Sequence, residues 1–399
     1  MAKRDLPDPE NRAKILAAER NRKMAASAHA YVRGSTTRFY EWLDGAQATL
    51  PDGPAIWICG DCHVGNLGPV GSAGGALAVQ IRDLDQTVIG NPAHDLVRLA
   101  LSLAMAARGS DLPGVTTAHI LEHMVDGYGT AFAPERDEAD DEAPPRMVKL
   151  VMREAAGRSW QHLADERIEG TTPSIPLGRR FWPLSKPERS ALDSLFGGED
   201  VRRLATVLRS REDDAPVRLL DAAYWRKGCS SLGRLRFAAL AAVGTGRAER
   251  HCLMDVKEAV APAAPRAKGA EMPRDNAERV VTGARHLSPH LGGRMLAARL
   301  LDKAVFVREL LPQDLKLEIE HLSREDATAM ANYLAAAVGR AHARQMSGAE
   351  RRTWLAELQR TRSKSLDAPS WLWNSVVELV SAHEGAYLQH CRKYASAGA

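Results

Sequence analysis

Two pairs of short apolar runs, far apart in the chain, constrain the fold more than any other feature. The first pair is 55–59, which stands between a proline and a glycine, and 77–81, in which apolar residues alternate with others. Runs of this length are typical of buried strands, and the Gly-rich turn at 68–75 would join them into a hairpin. The second pair, 235–243 and 251–256, predicts another hairpin, although its many alanines also allow a helix.

Most of the sequence around these runs has a helical pattern. Apolar residues recur at helical spacing in segments that are rich in good helix formers. Ser323 to Asp326 resembles a capping box that opens a long helix. Residues 304–310 are a further strand candidate, so the sequence predicts an α+β fold. The predicted helices span 12–26, 36–43, 95–108, 119–128, 276–286 and 326–345.

Composition excludes several classes of protein. With 45% hydrophobic and 26% charged residues over 399 positions, the chain is built like a globular protein with two or more cores, not like a disordered tail or a disulfide scaffold. No stretch reaches the roughly 18 to 20 apolar residues of a membrane span, and the charged start has no signal region. We therefore expect a cytoplasmic protein with no membrane partner. Five cysteines suit reduced thiols, and 54 basic against 50 acidic residues give no reason to expect a nucleic-acid partner.

One group of residues has the chemistry of phosphoryl transfer. That reaction needs a carboxylate to orient or deprotonate the acceptor hydroxyl, and an amide oxygen with a second carboxylate to hold magnesium on the phosphates. Asp61 and Asn66 follow the first predicted strand with the Asp-to-Asn spacing of a kinase catalytic loop, and Asp83 and Asp85 stand where the second strand ends. A tight hairpin would bring them together. The alternative is that they only shape turns and solubilise a strand end.

These residues resemble a motif of the kinase-like phosphotransferases of the aminoglycoside and choline kinase group. In that group the loop reads His-Gly-Asp-x-His-x-x-Asn, and a following strand ends in Asp-Phe-Asp or similar. Segments 59–66 and 83–85 match this pattern, except that Cys59 replaces the first His. Segment 90–96 is similar to that group's Gly-Asp-Pro-Ala-Tyr-Asp-Leu, whose aspartate anchors the catalytic loop from a buried helix.

The resemblance implies a role for each matching residue. Asp61 would be the catalytic base, and His63 and Asp95 would support its loop. Carboxylate and amide oxygens are the ligands that magnesium prefers in proteins. The magnesium ligands predicted in this way are Asn66 and Asp83, together with Asp85 at the same strand exit.

The whole chain resembles, more closely, bacterial proteins of the DUF2252 family over about residues 20–395. The matching features are the Gly-Asp-x-His motif and the segments 31–34, 256–259 and 341–344. The family name implies no activity. Within 31–34, Arg33 could hold a guanidinium beside the acceptor or the phosphate, because a fixed Arg fork suits phosphate oxygens. A surface arginine at a helix end is the alternative.

A second candidate site would hold the nucleotide. Segment 227–233 is a Gly/Ser loop before an apolar run, and Lys257 ends the next run, which is the layout of a phosphate-covering loop and its partner lysine. In ordinary kinases these parts precede the catalytic loop, whereas here they follow it. We therefore infer a circularly permuted, two-lobed kinase-like fold with a hinge-like strand at 304–312. A plain loop and a snorkelling surface lysine are the alternatives. The cofactor-binding residues so predicted are Gly228, Ser230, Ser231, Gly233, Lys257 and Glu278.

The carboxylate partner of Lys257 stays open. Glu278 lies on the predicted helix after the loop, but the position where the resemblance implies a glutamate holds Thr282. Either Glu278 serves one turn earlier, or Lys257 pairs with another carboxylate.

Residues 59–63 also spell Cys-x-x-Cys-His, the pattern of covalent haem attachment. Such attachment belongs to translocated proteins, so we do not expect haem here. Zinc would need a second pair of ligands, which the isolated Cys229 and Cys252 do not supply. A redox dithiol is an alternative to two passive thiols. We expect His342, on an alanine-rich helix, to be a packed histidine.

Together these patterns predict an ATP- and magnesium-dependent phosphotransferase that acts on a small-molecule or protein hydroxyl. Asp61, Asn66 and Asp83 favour an enzyme, whereas Cys59 and Thr282 favour a nucleotide-binding pseudokinase that serves as a regulatory or interaction module. Transfer of the AMP portion of the nucleotide is a third hypothesis. The predicted segments are N-terminal helices at 1–54, a catalytic hairpin and helical lobe at 55–215, a small nucleotide-binding lobe at 216–315 and C-terminal helices at 316–399.

Overall fold

The computed structural model describes residues 6–46, 50–133, 144–158, 173–228, 232–315, 323–360 and 367–394. Within these ranges the chain has the predicted α+β class, with a six-stranded antiparallel sheet, two two-stranded sheets and many helices. None of the helices in these ranges is long and apolar enough to cross a membrane.

The strands and helices follow one another in mixed order. The strands are β1 (Ile56–Ile58), β2 (Leu67–Gly71), β3 (Leu77–Ile81), β4 (Val88–Gly90), β5 (Phe181–Trp182), β6 (Val217–Trp225), β7 (Arg236–Val243), β8 (Arg250–Glu258), β9 (Met295–Leu300) and β10 (Lys303–Leu310). The helices are α1 (Arg12–Ala25), α2 (Ala28–Gly34), α3 (Thr36–Ala46), α4 (Pro92–Gly109), α5 (Val115–Thr130), α6 (Arg146–Gly157), α7 (Lys186–Phe196), α8 (Glu199–Thr206), α9 (Asn276–Leu287), α10 (Pro289–Gly292), α11 (Arg324–Ala343), α12 (Gly348–Arg360) and α13 (Ser370–Tyr394).

The first predicted hairpin is wrong in its pairing. β1 pairs with β4, and β3 pairs with β2, a strand inside the stretch that we expected to be a turn. β2 contains two glycines and a proline, so its sequence has little strand character, but all five of its residues are buried. Tertiary burial overrides propensity here. The open edge of β1 is completed by Gln345, whose amide exchanges two hydrogen bonds with the backbone of Trp57 at 2.9 and 3.0 Å.

The second predicted hairpin is confirmed as β7 and β8, which excludes the helical alternative. It forms the centre of the large sheet, whose strand order is β5-β6-β7-β8-β10-β9. The strand expected at 304–310 is β10. β6 and β9, which the sequence pattern did not indicate, extend the sheet on either side.

The two faces of the large sheet have opposite character, because successive side chains in a strand point to opposite sides. One face packs its apolar residues, such as Phe237 and Met254, on α7 through Leu192 and Phe196 and on α8 through Val201. These two helices precede the predicted boundary at residue 215, yet they belong to the sheet's core. The other face carries the charged residues of the candidate site.

The helical part of the chain is packed around α4, most of whose residues are buried. α4 begins at Pro92, three residues before the predicted start at 95. The Asn91 side chain caps it by accepting the amide of Ala93 at 2.9 Å. Beside it, α5 and α11 cross at very short distance. A Cβ on Gly127 would lie 2.1 Å from the carbonyl oxygen of Asn332, and one on Gly339 would lie 2.6 Å from that of Tyr128. Glycine at these two positions lets the helix backbones touch.

We expect Gly127→Ala to destabilise the protein, because its methyl group would overlap the Asn332 carbonyl oxygen and the two helices would have to separate. Overpacking of this kind costs about 1–3 kcal/mol. The higher helix propensity of alanine offsets at most about 1 kcal/mol of this cost. Gly129→Ala is the matched control on the same helix, since its Cβ would meet only the side chain of Leu355 at 3.5 Å. Thermal and urea unfolding of both variants test this, and equal stabilities would show that the glycine contact is unimportant.

Candidate functional site

The loop after β1 is fixed by one buried carboxylate. Asp95 on α4 accepts the amide of Cys59 at 2.7 Å and the amide of Gly60 at 2.9 Å, one on each oxygen. The support that the resemblance implied for Asp95 is therefore confirmed. Gly60 has a φ of 73°, and a Cβ there would lie 2.2 Å from the carbonyl oxygen of Gln86. The loop needs glycine at this position.

A chain of hydrogen bonds stands behind Asp95. His342 on α11 lies with Nε2 at 3.2 Å from Asp95, and its Nδ1 lies 2.8 Å from the hydroxyl of Tyr128. Trp354 donates its indole N–H to that hydroxyl at 3.1 Å. Because the Asp95 carboxylate accepts, His342 donates from Nε2, and its Nδ1 can accept the proton of Tyr128. The expectation that His342 is a packed histidine is confirmed.

Asp61 lies in this loop and both of its oxygens are engaged. Arg98 on α4 donates Nε–H to Oδ1 at 2.9 Å, and Thr36 on α3 donates its hydroxyl to Oδ2 at 2.9 Å. Burial raises the pKa of Asp61, and Arg98 and Thr36 oppose this rise. The sequence analysis missed Arg98, although an arginine in the middle of an otherwise apolar buried helix was a usable signal.

Asn66 stands between the loop and the hairpin of β2 and β3. Its Nδ2 donates to the carbonyl oxygen of Asp61 at 3.0 Å, which leaves the amide oxygen for another partner. Its own carbonyl accepts the amide of Arg82 at 2.7 Å, so Asn66 and the residues after β3 meet at the open end of the hairpin. The register therefore places Asn66 opposite Arg82, one residue before Asp83, at the open end of a hairpin that β3 forms with β2 and not with β1.

Lys257 joins the two parts of the predicted site. It is almost fully buried at the end of β8, and its Nζ lies 3.2 Å from Asp83 Oδ1 and in contact with Asp85 Oδ2. Lys257 is therefore a buried lysine, and the alternative of a snorkelling surface side chain is wrong. The second of the two alternatives for its partner is correct, since it pairs with these aspartates, while Glu278 is exposed in the first turn of α9.

This environment shifts the pKa values of Asp83 and Asp85 in opposite directions. Desolvation in the cleft would raise the pKa of Asp83, but the charges of Lys257, Arg308 and Arg236 outweigh it and hold this pKa below its ordinary value. Burial, followed by the negative charge of Asp83, raises the pKa of Asp85. Oδ1 of Asp85 is buried and has no hydrogen-bond partner among the described residues. An oxygen of this kind is available to a cation.

A second ion cluster lies next to Lys257 on the same face of the sheet. Arg236 stands opposite Lys257 in the register of β7 and β8 and forms a two-pronged pair with Asp255 at 2.9 and 2.6 Å. Arg308 approaches Asp255 at 3.3 Å and donates to the carbonyl oxygen of Arg82 at 2.9 Å. Burial would raise the pKa of Asp255, but these two arginines lower it. The pair of clusters ties the sheet to the residues after β3.

A cavity of about 840 Å³ opens along this face of the sheet. Its apolar wall includes Trp225 at the end of β6 and the segment from Leu310 to Pro312 that follows β10. Among the described residues that line it, only Glu154 and Asp314 are acidic. The basic ones are Arg82, Arg158, Arg180, Arg226, Lys227 and Arg308. The cavity therefore combines an apolar wall with an excess of positive charge.

The Gly/Ser loop follows β6, and its first residue, Lys227, lines this cavity. Gly228 and Gly233 have φ angles of 94° and 98°, a conformation that favours glycine, and Lys23 donates to the carbonyl of Gly228 at 3.3 Å. Ser230 and Ser231, which were predicted to bind the cofactor, lie outside the described residues.

Arg279, not Glu278, is the residue of α9 that reaches the site. Its guanidinium donates to the carbonyl oxygens of Thr87, Asp85 and Val260, the last two at 3.0 and 2.9 Å. It therefore holds the backbone that carries Asp85. The only signal in the sequence was one charged position inside the apolar stripe of α9.

Arg33 lies beside the loop after β1, next to Gly65 and His63. A Cβ on Gly65 would lie 3.1 Å from Nε of Arg33 and 3.2 Å from Cε1 of His63. His63 Nε2 is 4.0 Å from Asp61. Burial, followed by the charges of Arg33, Arg98 and His29, holds the pKa of His63 well below its ordinary value, so its imidazole is neutral at pH 7.

The cysteines of the Cys-x-x-Cys-His stretch are buried free thiols. Cys59 is fully buried and Cys62 is 1% exposed. A hydrogen bond to Cys62 and burial raise the pKa of Cys59 well above its ordinary value, which disfavours the thiolate that redox chemistry needs. In the part of the chain that the structure describes, no three His, Cys, Asp or Glu side chains are grouped to hold a metal ion. The predicted magnesium ligands are not a group of this kind, because one of the three is the side-chain amide of Asn66.

No curated protein and no solved structure matches this chain. The model of one family, described as an uncharacterized protein conserved in bacteria (DUF2252), matches residues 12–393. This agrees with the span over which the motifs resemble that family. Because the match covers nearly the whole sequence, the chain belongs to the DUF2252 family.

Proposed function

We propose that this protein is an ATP- and magnesium-dependent phosphotransferase with a circularly permuted kinase-like fold, acting on a small-molecule or protein hydroxyl. The observation that carries the proposal is the contact of Lys257 with Asp83 and Asp85. The lysine comes from the large sheet and the aspartates from the loop after β3. Two stretches that were selected separately for phosphate chemistry therefore meet in one cleft.

The cavity is the proposed nucleotide site. Its apolar wall, with Trp225 and Leu310, suits a purine ring, and its arginines suit phosphate oxygens. Arg308 lines the cavity and also touches the cluster around Asp255, so the phosphate end of a nucleotide would point toward Lys257. Lys227, the first residue of the Gly/Ser loop, lines the cavity, which suits a phosphate-covering loop.

The residues around Asp83 fit magnesium. Asp83 keeps 43% of its side chain exposed in the cleft, Asp85 has the unpartnered buried oxygen, and Asn66 has a free amide oxygen. Magnesium usually takes one or two protein carboxylates and completes its shell with water and phosphate oxygens. When bound, it would neutralise charge on the phosphates. Lys257 would then exchange part of its contact with the aspartates for contact with a phosphate.

Asp61 would orient the acceptor hydroxyl. Phosphoryl transfer depends mostly on positioning and charge stabilisation, so a carboxylate that is held rigidly by Arg98 and Thr36 suits this task.

The same two hydrogen bonds favour a second candidate function. Each of these bonds occupies one lone pair of the carboxylate and lowers its affinity for a substrate proton. A nucleotide-binding pseudokinase that serves as an interaction module, or an AMP transferase, needs no such base.

We expect Lys257→Met to weaken the binding of ATP with magnesium by at least about tenfold, because a charged hydrogen bond to phosphate contributes about 1.5–3 kcal/mol. Lys303→Met is the matched control, since Lys303 lies on β10 of the same sheet, is half exposed and pairs with Glu258. Calorimetric titration and the thermal shift with ATP and magnesium measure the effect. A wild-type protein that binds neither ATP nor ADP with magnesium would contradict both candidate functions.

We expect Asp61→Asn to keep ATP binding and to lower turnover by about 10²–10⁴-fold, the usual contribution of a positioned acid or base. Asp44→Asn, at an exposed position of α3, is the control. Phosphorus NMR of reactions with a panel of hydroxyl acceptors identifies the products. ADP and a phosphorylated acceptor indicate phosphoryl transfer, pyrophosphate indicates AMP transfer, and ATP binding without either product indicates a pseudokinase.

A further inference from the structure

Three basic side chains converge beside the catalytic loop, away from the residues that line the cavity. His29 and Arg33 are four residues apart on α2 and therefore share one helix face. Arg33 meets His63 next to Gly65, where a Cβ would lie 3.1 Å from the one and 3.2 Å from the other. We call His29, Arg33 and His63, with Gly65 between the last two, the basic seat.

The basic seat has hydrogen-bonding atoms that the described residues leave unsatisfied. Nε of Arg33, Nδ1 of His29 and Nδ1 of His63 are buried and have no partner among them. His63 as a whole is only 4% exposed. Buried polar atoms in folded proteins nearly always have a partner, so three open ones at one place point to a ligand.

The charge of the basic seat is also unbalanced. Asp61, 4.0 Å from His63, is engaged with Arg98 and Thr36. Burial, followed by the charge of Arg33, lowers the pKa of His29 to about 4, and the pKa of His63 is lowered as well. Burial is the larger cause of both shifts, and the positive charge of Arg33, whose Nε has no hydrogen-bond partner among the described residues, adds to it. An anion would supply the missing acceptor and the missing charge.

We propose that the basic seat binds a carboxylate or phosphate group of the acceptor, so that the substrate is a small hydroxyl compound with a negatively charged group. This inference rests on the proposed function, because it assigns the acceptor side of the same catalytic loop. His63 is two residues from Asp61, which places a bound anionic group next to the residue that would orient the hydroxyl. Arg33 and His29 are only half buried, so the basic seat opens to solvent on their side. A fixed guanidinium fork fits both kinds of anion.

Titration calorimetry with inorganic phosphate and with glycerate tests the proposal and separates the two anions. We expect wild type to bind at least one of them saturably without ATP, and Arg33→Gln to weaken that binding by at least about tenfold. Arg33→Lys, which keeps the charge but not the fork, should recover part of it. Arg38→Gln is the control, because Arg38 lies in the next helix, is exposed and pairs with Glu41.

Lys257→Met distinguishes the basic seat from the nucleotide cavity. If the anion binds in the basic seat, this variant keeps the wild-type affinity for phosphate or glycerate, even if it has lost ATP. Imidazole NMR of wild type should show His29 and His63 shifting during the titration while the exposed His123 stays. Three results would each overturn the proposal. They are loss of anion binding in Lys257→Met, equal binding by Arg33→Gln and wild type, and no binding of either anion. Anion binding without ATP binding would refute the proposed function alone.

Discussion

The buried carboxylate of Asp95 is the interaction on which the rest of the site depends. A carboxylate without solvent is costly unless its oxygens accept hydrogen bonds, and Asp95 accepts from two loop amides and from His342. Because those amides belong to Cys59 and Gly60, satisfying the charge fixes the direction in which the chain leaves β1. The positions of Asp61 and Asn66 follow from that direction. Tyr128 and Trp354 fix His342 in turn, so the helical core determines the geometry of a loop.

The cleft between this loop and the sheet is held together by charge. Lys257 pairs with Asp83 and Asp85, and beside it Asp255 pairs with Arg236 and Arg308. Each buried ion here has an opposite partner, which is the condition under which buried charge is tolerated. The contacts across the cleft use charged atoms that also suit phosphate and a divalent cation. Under the proposed function, a bound nucleotide would exchange ion pairs within the protein for ion pairs with the ligand at a reduced cost in desolvation, since most of those charges have already left water.

The sequence predicted the local features of this site, but not all of its long-range ones. The six predicted helices, the hairpin of β7 and β8, the supporting role of Asp95 and the packing of His342 were visible because each depends on a periodic pattern or a short motif. The pairing of β1 was not, because β2 is a strand by burial and not by propensity, and because Gln345, nearly three hundred positions away, completes the edge. Arg279 and Arg98 were missed for the same reason. Their partners are backbone carbonyls or a carboxylate brought close only by the fold.

The two sides of the loop after β1 are built by different parts of the chain, and this division has a mechanical consequence. The sheet forms the side with the cavity, whereas α2, which carries Arg33, forms the other. α2 is held by Arg98, which donates to the carbonyl of Val32 at 2.7 Å, and by α13, where the ring of Tyr31 packs against His390 with centroids 5.3 Å apart. Since Arg98 also binds Asp61, a displacement of α2 would be transmitted to the Asp61 carboxylate. A ligand in the basic seat would thus influence the position of Asp61 in two ways, directly because it lies close and indirectly through α2 and Arg98. Because α13 packs on α2, it would set the position of that helix.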